Sequence, residues 1–216
     1  KDAPIHFAQD RFEISKDQMN DESLELWVRD KKTGTVSPYE LDLPGIYQEK
    51  NILTVLQSLC DLEDWKVSDE NIREALKAVK TITGLQGRWE RIRQHPDVIL
   101  EVAHNREGIE QLLAHLQRKK YSRLHLIIGI VKDKDANMIL ELLPRDAQYY
   151  FTQAHIPRAL NARELQQQAS LHHLRGNVFD DVNLALHEAL ASASSTDLVL
   201  ICGSIFLVAE VDREHM

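Results

Sequence analysis

The chain has 216 residues, of which 43% are hydrophobic and 28% are charged, and its formal net charge is −8. This composition is typical of a globular protein with a substantial core. The acidic balance, without a run of Lys or Arg, argues against nucleic acid as a partner. No apolar stretch approaches the ~20 residues of a membrane-spanning helix, so we expect no membrane partner either. The sequence starts at Lys1 without a Met, which suggests a segment of a longer protein.

The first part of the chain is predicted to be β-rich and then helical. SLELWVRD alternates apolar and polar residues, as a half-buried strand does, and YELDLPG forms a second extended piece. VSDENIREALKAV is predicted to be a helix with Ser68 as its N-cap. The helix before it, IYQEKNILTVLQSLCDL, has an apolar stripe at helical spacing: Ile52, Val55, Leu56 and Leu59.

The segment TGLQGRW, Thr83 to Trp89, breaks the helical pattern with two glycines and predicts a domain boundary near residue 86. Strands and helices alternate beyond it. The predicted strands are DVILEVA, RLHLIIGIV, AQYYFTQA, GNVFD and TDLVLICG. Alternating units with nearly continuous apolar strands predict an α/β fold, a Rossmann-like and mostly parallel sheet with helices on both faces.

The two cysteines, Cys60 and Cys202, both lie in apolar runs. Two thiols make neither a disulfide framework nor a cysteine-rich metal site. We therefore predict that both are buried and reduced, which is typical of a cytoplasmic protein.

Polar or unusual residues follow four of the predicted parallel strands. They are AHN at 103–105, KDKD at 132–135, AHIPRA at 154–159 and Gly203-Ser204. Because the carboxyl ends of parallel strands share one edge of the sheet, these segments are expected to form a cleft there. Helix N-capping explains Asn105, Asp135 and Ser204 equally well.

Common nucleotide and nucleophile motifs are missing from the sequence. There is no G-x-x-x-x-G-K-[ST], no G-x-G-x-x-G after a strand and no G-x-S-x-G. No group of His, Cys or acidic residues has the spacing of a metal site, so no metal ligand is predicted in this chain.

A set of motifs in chain order, however, resembles one known family. LPGIYQEKN, TGLQGRWE, VILEVAHN, VKDKD, PRA and LICGSIFLVAEV together resemble the bifunctional folylpolyglutamate synthase/dihydrofolate synthase family, which belongs with the muramyl-peptide ligases. Members have an ATPase domain followed by a Rossmann-like C-terminal domain. The resemblance implies that residues 1–86 are the end of the ATPase domain and that residues 87–216 are the C-terminal ligase domain.

The resemblance also implies a reaction. Members add L-glutamate to dihydropteroate or folate through an acyl phosphate, using ATP and Mg²⁺. The phosphate loop and the Mg²⁺ ligands are expected upstream of Lys1, so the chain alone is expected to be inactive. The full-length protein is expected to be a monomer.

Site residues follow from the resemblance, position by position. Asn51 and Arg88 match family positions that contact the nucleotide, and a guanidinium suits phosphate oxygens. Glu101 stands where the family has an Asp that binds the nucleotide ribose, so its longer side chain is a departure. His104 matches a histidine at the inter-domain cleft, and Ser204 lies near the pocket for the incoming glutamate.

Two alternatives stay open. The chain could be a non-catalytic Rossmann-like binding module, which the missing phosphate loop would favour. It could also be part of a muramyl-type peptide ligase, because the pterin pocket lies outside this sequence.

Overall fold

The computed structural model describes residues 4–20, 22–62 and 65–213. Contacts between Cα atoms divide the chain into two compact units, Lys1–Gln86 and Gly87–Met216. Within the described ranges, no helix combines the length and apolarity needed to cross a membrane.

The first unit contains an antiparallel sheet and several helices. The strands are β1 (Phe12–Met19), β2 (Leu24–Asp30) and β3 (Val36–Leu41), in that order in the sheet. The helices are α1 (Ala8–Arg11), α2 (Gln48–Asp61), α3 (Asp69–Lys77) and α4 (Val79–Thr83). As predicted, the hydroxyl of Ser68 caps α3 by accepting a hydrogen bond from the N–H of Asn71.

The core of the first unit follows the alternation of β2. Leu24, Leu26 and Val28 of this strand are buried and pack with Ile52 and Leu56 of α2. The predicted apolar stripe of α2 is narrower than the sequence suggested, because Val55 is 42% exposed.

The prediction that both cysteines are buried is wrong for Cys60, which is exposed in the last turn of α2. Leu56, one turn earlier in α2, packs in the core, whereas the thiol does not. Cys202 is fully buried, and this burial raises the pKa of its thiol to about 12.

The second unit alternates strands and helices along the chain. Its strands are β4 (Glu90–Arg93), β5 (Asp97–Glu101), β6 (Leu124–Ile128), β7 (Gln148–Phe151), β8 (Gly176–Val178) and β9 (Leu198–Cys202). Its helices are α5 (Arg106–Leu116), α6 (Ala136–Leu140), α7 (Ala162–Leu171), α8 (Val182–Ser192) and α9 (Ile205–Ala209).

The strands form one sheet in the order β4-β5-β9-β6-β7-β8. All neighbouring pairs are parallel except β4–β5, which is antiparallel. The predicted α/β fold with a mostly parallel sheet is therefore confirmed. The antiparallel edge strand β4 was not predicted, because ERIR is partly exposed throughout and has no apolar alternation.

Helices cover both faces of this sheet. On one face, Ile99, Leu126 and Leu200 pack in a cluster with apolar residues of α5, α6 and α7. On the other face, Leu100 and Ile201 pack with apolar residues of α8 and α9. Burial on both faces explains why the strands are nearly continuous apolar runs in the sequence.

Candidate functional site

The chain reverses direction across the sheet at β9. The strands β5, β6, β7 and β8 follow one another toward one side of the sheet, and the helices between them, α5, α6 and α7, lie on one face. After β8, α8 crosses the opposite face and β9 returns between β5 and β6. The loop after β9 leads to the opposite face, since α9 packs there. In open α/β sheets, ligands bind outside the carboxyl ends of the strands, next to such a switch in strand order.

Close backbone packing joins the carboxyl ends of these strands. The N–H of Gly203 donates to the carbonyl of Ala103 over 3.0 Å, which joins the ends of β9 and β5. Gly203 has φ +106°, and a Cβ there would lie 2.6 Å from the carbonyl oxygen of Gly129 after β6. Only glycine fits this position, so the three strand ends meet through main-chain atoms.

Arg88 lies at the same edge, in a turn of residues 87–89 that precedes β4. The carbonyl of Gly87 accepts from the N–H of Val102 over 2.9 Å, and the N–H of Gly87 donates to the Glu90 carboxylate over 2.7 Å. A Cβ at Gly87 would lie 2.6 Å from Val102 Cγ1. The turn is therefore packed tightly against the end of β5, while the Arg88 side chain is only half-buried.

Trp89 anchors the other side of this turn. Its indole is 1% exposed and stacks on the imidazole of His115 in α5, with ring centroids 3.6 Å apart and planes 11° from parallel. No sequence motif predicted a role for Trp89, Glu90 or His115. The Trp that directly follows Gly-Arg at the predicted domain boundary is the sequence feature that could have indicated that this turn is anchored.

Glu101, the last residue of β5, turns toward the same segment. Its Oε2 accepts a hydrogen bond from the backbone N–H of Trp89 over 2.9 Å, and the residue is 2% exposed. The ribose contact implied by the family resemblance stays a prediction.

His104 projects from the loop after β5 and is exposed. Its Nδ1 lies 3.0 Å from the carbonyl oxygen of Val102. Since a carbonyl can only accept, this hydrogen bond requires the proton on Nδ1 and leaves Nε2 with a lone pair. A neutral His104 can therefore accept a proton or a hydrogen bond at Nε2.

Three polar residues at the strand ends act as helix caps. Asn105 accepts from the N–H of Gly108 at the start of α5, and Asp135 accepts from Met138 at the start of α6. Ser204, only 4% exposed, accepts from the N–H of Phe206 at the start of α9. Ser204 keeps its own hydroxyl proton to donate, so the cap does not exclude a ligand contact.

Asn51 lies in the first unit, exposed in the first turn of α2. Its side-chain amide donates to Oε1 of the buried Gln48 over 2.8 Å, so the two side chains orient each other. The predicted nucleotide contact of Asn51 stays a prediction.

A divalent cation has no evident site in residues 4–20, 22–62 and 65–213, where no group of three or more His, Cys, Asp or Glu residues could hold a metal ion. The Asp133–Arg158 ion pair at the carboxyl edge, with 3.5 Å between Oδ2 and Nη2, contains a single carboxylate. The described donor sets therefore do not fit Mg²⁺.

An α/β domain with a switch in strand order at β9 and a tightly packed turn that carries an arginine beside it defines a class of ligand-binding domain. Comparison with known families identifies it: a family model described as Mur ligase, glutamate ligase domain, matches residues 87–205. The chain belongs to the Mur ligase family, in its folylpolyglutamate synthase/dihydrofolate synthase group. The family resemblance found in the sequence motifs is thereby confirmed.

Relatives and solved structures agree with this assignment. The dihydrofolate synthase/folylpolyglutamate synthase of Escherichia coli is 32% identical over 188 residues, which cover 86% of this chain and 42% of that protein. The structure of E. coli FolC in complex with DHPP and ADP superposes with a TM-score of 0.75 at 29% identity, covering 92% of this chain and 44% of that one. The Yersinia pestis bifunctional enzyme complexed with AMPPNP and a Mn ion has a TM-score of 0.66 at 26% identity, covering 85% of this chain and 42% of that one. The chain therefore spans less than half the length of these proteins.

Proposed function

We propose that this chain is the C-terminal part of an ATP-dependent ligase that forms an amide bond between L-glutamate and dihydropteroate or folate. The observation that carries the proposal is the Arg88 turn, a half-buried cation on a fixed backbone beside the carboxyl ends of the strands. The similarity to E. coli FolC, a protein seen with DHPP and ADP, supports this choice of substrates.

The proposal divides the chain at residue 86. Residues 1–86 would be the end of a larger ATPase domain, and residues 87–216 the ligase domain. The Mg²⁺ ligands would lie in the remainder of the ATPase domain, because the described residues do not supply them. We further propose that the complete ligase acts as a monomer in the cytoplasm.

Arg88 is proposed to contact the nucleotide phosphates. A guanidinium forms paired hydrogen bonds with phosphate oxygens and stabilises negative charge as it moves between them. ATP would supply the phosphoryl group that activates the acceptor carboxylate. Asn51 is proposed as a second nucleotide contact. Its side-chain nitrogen donates to Gln48, so its side-chain carbonyl oxygen can still accept a hydrogen bond from the nucleotide.

His104 and Ser204 are proposed to act on the incoming glutamate. With its proton on Nδ1, His104 presents Nε2 to the amino group of glutamate and can accept a proton as that group becomes a nucleophile. The Ser204 hydroxyl can donate to a glutamate carboxylate while its oxygen caps α9. Both residues follow strands whose carboxyl ends lie side by side.

Phosphate release tests this function. The complete polypeptide that contains this chain is expected to release phosphate only when ATP, L-glutamate and dihydropteroate or folate are all present. The 216-residue chain alone is expected to show no turnover. A complete polypeptide that accepts a muramyl peptide and ignores both pterin acceptors would overturn the choice of substrate. Turnover by the isolated chain would overturn its proposed status as a part.

A further inference from the structure

The backbone around Arg88 is held on both sides by hydrogen bonds. On one side, the carbonyl of Gly87 accepts from the N–H of Val102. On the other side, the N–H of Trp89 donates to the Glu101 carboxylate over 2.9 Å. The residues that flank Arg88 are thus tied to the last residue of β5 and to the residue after it.

The same turn adopts an unfavourable backbone conformation. Gly87 has φ +69° and Trp89 has φ +51°, so left-handed residues stand on both sides of Arg88. For a bulky residue such as Trp this conformation is uncommon and sterically unfavourable. It persists because the indole is buried against His115 and the Trp89 N–H has a carboxylate acceptor. Strain of this kind concentrates at functional sites, where it fixes a geometry in advance.

Glu101 offers little surface to a ligand, since it is 2% exposed. Burying a carboxylate is costly unless hydrogen bonds compensate, and the Trp89 N–H provides one such bond. A Glu reaches one methylene farther than the Asp of the family pattern, and here the side chain extends toward the Trp89 backbone.

We propose that Glu101 is a positioning residue, which holds the Arg88 turn through the Trp89 N–H so that the guanidinium faces the nucleotide phosphates, and that it does not read the ribose. This inference rests on the proposed contact between Arg88 and the nucleotide. The Glu that replaces the family's Asp then has a specific consequence: its carboxylate holds the main chain of the Arg88 turn.

Three substitutions test the hydrogen bond in the 216-residue chain. Glu101→Ala removes the acceptor, so exchange of the Trp89 amide proton is expected to accelerate at least tenfold. Glu101→Gln keeps a carbonyl acceptor and is expected to retain most of the protection. The control Glu110→Ala, which removes an exposed partner of Arg106 on α5, is expected to leave this amide unchanged. Equal protection in the Ala variant and the wild type would overturn the proposal.

Nucleotide analogues separate positioning from ribose contact in the complete ligase. Glu101→Ala is expected to lower kcat/KM for ATP about tenfold or more, with partial rescue by Glu101→Gln. The ratio of kcat/KM for ATP to that for 2′-deoxy-ATP or 3′-deoxy-ATP is expected to be the same in the wild type and in Glu101→Ala. If Glu101 bound a ribose hydroxyl, that ratio would collapse in the Ala variant, and the positioning role would be wrong.

A double-substitution cycle distinguishes failure of this inference from failure of the proposed function. In an Arg88→Ala background, Glu101→Ala is expected to cause little further loss, because its effect passes through Arg88. A full additional loss in that background would overturn positioning while leaving the nucleotide contact of Arg88 intact. Unchanged kinetics of Arg88→Ala alone would instead contradict the proposed function.

Discussion

The amino and carboxyl ends of the strands, here called the amino edge and the carboxyl edge of the sheet, each carry a histidine, and the two histidines differ in exposure. At the amino edge, His125 is 1% exposed, with Nδ1 2.8 Å from the Tyr150 hydroxyl and Nε2 3.5 Å from Asp197 Oδ2. At the carboxyl edge, His104 is exposed and Arg88 is half-buried on a rigid turn. Nδ1 is thus paired, whereas Nε2 is buried without a hydrogen-bond partner among the described residues, and the imidazole is closed off from solvent. Polar groups that reach solvent from a fixed backbone are available to a ligand, which supports function at the carboxyl edge.

The largest expected effect is the loss of catalysis on removing Arg88. In the complete ligase, Arg88→Ala is expected to lower kcat/KM about 10²–10³-fold, or about 2.7–4 kcal/mol, which is typical for loss of a preorganised electrostatic contact. Its thermal midpoint should stay near that of the wild type, because the side chain is only half-buried. Steady-state kinetics and thermal unfolding measure the two quantities.

The matched control is Arg175→Ala, which removes an exposed arginine next to β8 at the amino edge. It is expected to leave both quantities unchanged. Equal losses of activity in the two variants would mean that the two edges do not differ in function.

The next effect concerns the close backbone packing at the carboxyl edge. Gly203→Ala places a Cβ 2.6 Å from the Gly129 carbonyl at a positive φ, and is expected to destabilise the second unit by about 2–3 kcal/mol. Gly34 has φ +76° with no atom within 4 Å of the added Cβ. Gly34→Ala should therefore cost only about 1 kcal/mol of backbone strain in the first unit.

Hydrogen exchange of core amides measures the free energy of unfolding in the unit that carries each glycine. If both substitutions cost the same, backbone strain alone would account for Gly203. The close approach of the β9 and β6 ends would then make no separate contribution.

A smaller effect is expected at the amino edge. Tyr150→Phe removes the hydroxyl that pairs with His125 and leaves a buried imidazole nitrogen without that partner, at a cost of about 1–2 kcal/mol. The control Tyr121→Phe alters a 36% exposed tyrosine and should be neutral. Chemical denaturation gives the stabilities. Neither variant is expected to change kcat/KM of the complete ligase, and a catalytic defect in Tyr150→Phe would break the contrast between the edges.

The difference between the edges also marks what the sequence could predict. Local signals located the parallel strands, the boundaries of their helices and the caps Ser68, Asn105 and Asp135, because propensity and capping act over a few residues. The insertion of β9 between β5 and β6 has no local signal, since it depends on which strands pair across the whole second unit.

Side-chain partners far apart in the sequence were equally hidden. His125 and Tyr150 are separated by 25 positions, and each stands in an apolar run that gives no sign of the other. The bond from Trp89 to Glu101 was missed for a related reason. The family pattern implies a ligand contact for Glu101, whereas its carboxylate accepts a hydrogen bond from the main chain.

The smallest expected effect is a pH dependence that originates at the amino edge. Desolvation lowers the pKa of His125 and outweighs Asp197, which raises it. Arg123 lowers the pKa further, and Tyr150 contributes a neutral hydroxyl. The unfolded chain therefore binds a proton near pH 6.5 that the folded chain accepts only at lower pH. The contribution of His125 to the free energy of unfolding is fully present above about pH 6.5 and is lost as the pH falls toward the lowered pKa of the folded state.

His125→Asn is expected to remove this contribution, because its amide can still pair with Tyr150 but does not titrate. Urea unfolding between pH 8 and pH 5 should show a steeper loss of stability for the wild type than for the variant. The difference between the two curves isolates His125 from the other histidines of the chain. Parallel curves would mean that the pKa of His125 is the same in the folded and unfolded states, and burial of this histidine at the amino edge would then make no pH-dependent contribution to stability.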